Sequence, residues 1–216
     1  MGQQPLYNST DLFEEQLIEL ISFPPYDTTE RLTTSWRFCE IAWEHWQAVR
    51  GLSENNMHLS ASALLRVQFE TIVRALWCFY CASEQQIEKL NRTLSNESEQ
   101  AAKNLPSTTE MLAGIESIPN AGNAWIRLDE FKRYSWKALN SYIHAGIHPL
   151  QRHAAGYPPE LIGQTVRASN SLALMSALQL SILTGVTGLH HAVLQLSLGH
   201  SYCLPPMAAP QDAPSQ

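Results

Sequence analysis

The residues best equipped for chemistry lie between Leu139 and His153, in the run LNSYIHAGIHPLQRH. His144, His148 and His153 can each take or give a proton near neutral pH, Arg152 can hold an anion, and Asn140 and Tyr142 can orient one. The helical pattern arriving from Trp125 meets Gly146 and Pro149, and a helix rarely continues up to the residue before a proline. His144 is therefore expected near a helix C-terminus, where the macrodipole favours imidazolium, with His148, Arg152 and His153 lining the turn that follows. That turn is an address for an anion. The plainer reading is that His144 simply caps its own helix.

A second set of charges lies upstream. Arg66, Glu70 and Arg74 recur at i, i+4 and i+8 in a stretch that is otherwise apolar almost all round, which puts all three on one stripe of a helix. One reading is a solvated ion-pair ladder. The other is a partly buried triad bonded to the segment after His144, because charges on an apolar helix are costly unless paired.

The elements that must position these residues are helical. LSASALLRVQFETIVRALWCFYCA, Leu59 to Ala82, contains no glycine or proline, and a helix apolar on every side is central to its fold. Asp11 and Glu14 fit a capping-box start for a short first helix that stops at Pro24 and Pro25. Thr28 or Thr29 starts an aromatic-rich second helix that runs to Gly51. Gln85 to Asn104 reads as an outer helix or connector, and Ser107 or Thr108 before Glu110 starts a short helix from Met111 to Ile118. The pattern from Ala124 leads into the histidine run, and Pro158 and Pro159 open a last long helix reaching about Leu198. From Ala168 to Gln216 the only formally charged side chain is Asp212. Ser176, Gln179, Ser181, Thr184, Gly185 and Gly188 interrupt that run, which favours a buried helix or a self-association face over a membrane span. The expected fold is all-α, a single-domain helical bundle over 1–203 with a central helix at about 58–82, followed by a disordered proline-rich tail at 204–216.

At 216 residues, with 44% hydrophobic and 16% charged side chains, the chain can bury a large core. A net charge of −6 excludes a protein that coats nucleic acid non-specifically. The charge is uneven: residues 1 to 30 carry acids and no lysine or arginine, whereas Arg127, Lys132, Arg133, Lys137 and Arg152 make the histidine region basic. The start lacks the cationic and apolar regions of a secretory signal, so a cytoplasmic location with reduced Cys39, Cys78, Cys81 and Cys203 is expected.

SALLRVQFETIVRALW, LNSYIHAGIHPLQRH, the following GYPPEL and the pair Ser169–Asn170 together resemble a bacterial helical family of unknown function. That family distantly resembles HEPN domains, helical bundles that often act as dimeric, metal-independent ribonucleases through an arginine and a histidine separated by four to six residues. The resemblance implies His144 as the histidine. Lys137, Ala138 and Leu139 occupy the arginine positions, so Arg66 or Arg74 must replace the arginine if the central helix packs against the motif helix. The catalytic set so implied is His144, Asn140, Arg66, Arg74 and Glu70. Lys137, Tyr142, His148, Arg152, His153 and Asn170 are the candidates for substrate binding. No cofactor is expected. A toxin–antitoxin or phage-defence system, RNA as ligand and a homodimer follow from the same resemblance.

The residues admit two other readings. His144 and His148 at i, i+4 with Glu70 suggest a metal, but the pair lacks the glutamate of HExxH, and Cys78 with Cys81 has no second CxxC; no metal site is assigned. The non-enzymatic alternative is an interaction module, a toxin-neutralising partner or defence-complex subunit, using the acidic N-terminus and the uncharged last helix as surfaces.

Overall fold

The first long helix begins where proline allows it to. In the computed structural model, which describes residues 3–206, α1 spans Gln4–Ile21 with Pro5 in its first turn, where a missing N–H costs nothing. The expected start at Asp11 is thus more than a turn late. Asp11 and Glu14 do not cap; they pair with Arg50 of α2, Glu30–Glu54, and Gln47 donates to Glu14 at 2.6 Å.

α3, His58–Tyr80, is the central helix, with thirteen of its residues buried. It packs on α2, on α7 (Gly122–Ile143), on α9 (Pro159–Leu183) and on α6 (Thr108–Glu116). Burial of Phe69, Ile72, Val73, Trp77 and Cys78 on α3 makes the larger of the two apolar clusters, and at about 25 cal/mol per Å² such side chains dominate the favourable side of folding. The region expected as one outer helix is two short ones, α4 (Glu84–Asn91) and α5 (Asn96–Ala102), started by Ser83 and Ser95 capping boxes. Ser107 and Glu110 form the same reciprocal pair at the start of α6. A 3-10 turn at Pro119–Ala121 leads into α7.

Two expectations need correction. The segment after His144 is not a turn but a helix, α8, Ile147–Ala155, in which Pro149 falls in the first turn. The last helix is broken: α9 ends at Leu183 and α10 spans Leu189–Gly199. Gly185 and Gly188 between them have φ of +67° and +82°, and a side chain at Gly185 would press on Tyr26. The ten helices are accompanied by no strand among the described residues.

The pair Ser169–Asn170 is structural. Ser169 Oγ donates to Gln68 Oε1 at 2.6 Å, and Gln68 Nε2 returns a bond to the Ser169 carbonyl at 3.0 Å. Asn170 is fully buried, accepts from Trp46 Nε1 at 2.7 Å, and donates to Thr10 Oγ1 and the Cys203 carbonyl. One carboxamide thus ties α1, α2, α9 and the chain after α10, and none of it is left for a substrate. Leu204 joins the smaller apolar cluster, so the ordered chain extends past the expected limit at 203; residues 207–216 of the expected tail lie outside the described residues.

Candidate functional site

His58, Ser62, Arg66 and Glu70 stand four residues apart on α3 and form one polar stripe on an apolar helix. Its two halves behave differently.

The Arg66 half is closed. Arg66 is 7% exposed, with its guanidinium carbon 3.2 Å from the ring centroid of Trp136 on α7. Its Nε donates to Asn140 Oδ1 at 3.1 Å, and Nη1 lies 2.5 Å from Glu70 Oε1. That last approach lacks hydrogen-bond direction, leaving Nη1 without a true acceptor, so the contact is charge pairing across a short gap. Glu70 also accepts from Thr108 Oγ1 at 3.0 Å, linking α6. Trp136 is braced edge-on by Phe69, itself stacked on Phe131. The cation is held on an indole face, by a carboxamide and by a neighbouring carboxylate, which compensate its charge although Nη1 lacks an acceptor. Arg66, Glu70 and Asn140 therefore converge as expected, but Arg66 and Glu70 bond to α7 and α6 rather than to the segment after His144. Arg74 is not in the group: its guanidinium faces the Phe38 ring at 5.8 Å.

The motif histidines lie outside that knot. α7 ends at Ile143, and His144 is the exposed C-cap, its N–H bonded to the Asn140 carbonyl. Ala145 has φ of +50°, and the Gly146 N–H reaches the Ser141 carbonyl at 2.7 Å. Ser141 Oγ accepts from the His148 N–H at 3.0 Å, capping the start of α8. Gly146 is needed for closeness: a Cβ there would stand 2.6 Å from Ser141 Oγ. His144, His148, His153 and Lys137 are exposed, and Asn140 is spent on Arg66 rather than turned to His144.

The open half is at the start of α3. No side chain caps this end, and a cleft of about 350 Å³ opens there between His58 to Ser60 and Arg152, His153 and Tyr157. Ser62 Oγ and Tyr157 OH are 2.5 Å apart, and the His58 and Tyr157 rings meet at 5.2 Å. Burial pushes the Tyr142 hydroxyl up to about 12, so it stays protonated, enclosed without a hydrogen-bond partner of its own. Burial holds His58 below the usual imidazole range, and its Nδ1 is enclosed without a partner. Arg152 has no carboxylate partner among the described residues. An uncapped helix start beside an unneutralised arginine leaves this cleft electropositive.

Of the residues proposed from sequence, Arg152 and His153 belong to this cleft and Tyr142 borders it. His58, Ser62 and Tyr157 were missed. The four-residue spacing that drew attention to Arg66 and Glu70 extends back to Ser62 and His58, and that signal was readable; Tyr157 had none. Burial raises the thiols of Cys39 and Cys78, the latter to about 12, and those of Cys81 and Cys203 in the same direction, which disfavours the reactive thiolate. Among the described residues no three or more His, Cys, Asp or Glu side chains group as metal ligands, and no helix is long and apolar enough to cross a membrane.

Fold and site together define an all-α bundle whose central helix offers an uncapped, basic-walled start. The chain belongs to the DUF6988 family, a family of unknown function, whose model matches residues 39–206 and so takes in α3, the histidine motif and the cleft. Comparison with curated proteins and with solved structures yields no match to either.

Proposed function

We propose that this chain binds RNA through a backbone phosphate held in the cleft at the start of α3, as a HEPN-like, metal-independent ribonuclease of a bacterial toxin–antitoxin or phage-defence system acting in the cytoplasm. The observation that carries the reading is the convergence of Arg152, His153 and His58 on an uncapped helix start. HEPN-like chemistry needs an arginine beside a histidine. Arg66 is spent under Trp136, so Arg152 takes that role. The reaction is transesterification: the ribose 2′-oxygen attacks phosphorus while its proton passes to a base, and the leaving 5′-oxygen receives a proton from an acid. His58, kept neutral by burial, is the base and His153 the acid; Arg152 and the α3 amides hold the charge that develops on phosphorus. His144 and His148, exposed on the adjoining corner, contact the flanking strand.

The test is a labelled single-stranded RNA incubated with the purified chain in chelator at low salt. Binding is expected, with Arg152→Ala weakening it about tenfold and His153→Ala slowing cleavage roughly a hundredfold. Absence of RNA binding, or an Arg152→Ala variant equal to the parent, overturns the reading.

A second reading, the interaction module, is favoured by one observation. Ile147 and Leu150 on α8 are 67% and 65% exposed, continue an apolar line from Ile143, and no residue of α8 is buried. A helix with one bare apolar face is suited to a protein partner or a second copy. Loss of a complex or dimer on Leu150→Glu, with RNA binding absent, supports this alternative.

A further inference from the structure

At the opposite end of α3 lies a larger cleft, about 670 Å³, between the last turns of that helix, the start of α7, and α9 and α10. Its size is that of a small-molecule site. Leu76, Met175, Leu178, Ile182 and Trp125 make the walls apolar. Gln179 is also in the lining, is 1% exposed, and is the informative residue.

Its orientation is set by its neighbour. Ser35 Oγ donates its hydrogen to the Ala75 carbonyl at 2.9 Å, so it can only accept from Gln179, and Nε2 supplies that bond at 3.3 Å. Oε1 is left buried with no donor among the described residues. An enclosed carbonyl oxygen without a donor is unfavourable, and on a residue that lines a cleft it is a recognition element for whatever brings an N–H or O–H within reach.

The rim constrains charge. Arg133 Nη2 bonds Asp129 at 2.5 Å, and Glu130 offsets Arg127, so the entrance carries no net charge. We propose that this cleft binds a neutral, largely apolar small molecule carrying a hydrogen-bond donor, which Gln179 Oε1 accepts. Neither the RNA reading nor the partner reading requires it.

The probe is phenylnaphthylamine, a neutral aromatic amine with a single N–H whose fluorescence rises in apolar surroundings; its ether analogue, phenoxynaphthalene, lacks the donor and is read by displacement. The full chain is expected to bind the amine saturably, one per chain. Ala124→Trp, which adds an indole to the lining, should abolish binding of both compounds while circular dichroism shows the helical fold retained. Gln179→Leu should weaken the amine about tenfold and leave the ether within about twofold, the discrimination expected when a buried acceptor loses its donor. Non-saturable uptake, saturable binding indifferent to Ala124→Trp, or equal loss of amine and ether on Gln179→Leu overturns the proposal.

Discussion

The two halves of the α3 stripe each meet an arginine, Arg66 of the stripe itself and Arg152 of α8, and end in opposite states. Around Arg66 every charge is answered: an indole beneath, a carboxamide at Nε, a carboxylate beside it. Two turns earlier, Arg152 and the histidines face an uncapped helix start with no carboxylate to neutralise them. Pairing, rather than residue type, separates a structural charge from one available to a ligand. A buried arginine held against an indole, a carboxamide and a carboxylate is not free to meet a phosphate, because leaving them would expose Trp136 and take the cation from Glu70.

The largest expected break in that comparison is Arg66→Ala. It removes packing on Trp136, leaves Asn140 Oδ1 without its donor and takes the cation from Glu70, so unfolding free energy should fall by about 3 kcal/mol, measured by chemical denaturation. RNA affinity measured well below the midpoint should not change; a loss equal to that of Arg152→Ala would place Arg66 in the ligand site after all.

Next comes Gly146→Ala. Its Cβ would displace Ser141 Oγ from the His148 N–H. The cap of α8 is then lost at a cost of about 1 kcal/mol, and because α8 carries Arg152 the variant should weaken RNA binding as well. Unchanged melting would mean Ser141 re-forms the cap from another rotamer.

The pH dependence is smaller and sharpens the contrast from the cleft side. Burial holds the imidazoles of His58, His45 and His200 below their ordinary value of about 6.5. The unfolded chain then binds more protons than the folded one below that value, so their contribution to stability is complete above about 6.5 and is lost as pH falls through the depressed folded values. Melting temperature should drop between about pH 7.5 and pH 5.5. Anion affinity should move the other way, since protonated His58 adds positive charge to the cleft. His58→Gln should flatten the affinity profile; an affinity falling with pH would remove His58 from the site.

The smallest stability effect belongs to Arg152→Ala, within about 0.5 kcal/mol of the parent, because an unpaired, part-exposed cation holds little together. It should nonetheless show the larger RNA effect. A melting loss as large as that of Arg66→Ala would erase the distinction between the two halves.

Local chemistry was legible wherever neighbours along the chain settled it. The extent of α3 follows from an unbroken apolar run, the start of α6 from Ser107 and Glu110, and the end of α7 from the glycine and proline beyond it. The spacing of Arg66 and Glu70 likewise placed both on one face. Long-range pairing was not legible. Pro149 reads equally as a helix stop and as a first-turn residue, and only the Ser141 cap selects the second. Asn170 reads as a ligand-binding amide until Trp46, Thr10 and Cys203 close on it from parts of the chain up to 160 residues away. His144 and Arg66 have the right types for one site, yet burial under Trp136 takes one and solvent keeps the other. Spacing determines which residues share a face; which of them stay free is decided by what packs on that face, and that is a property of the folded chain alone.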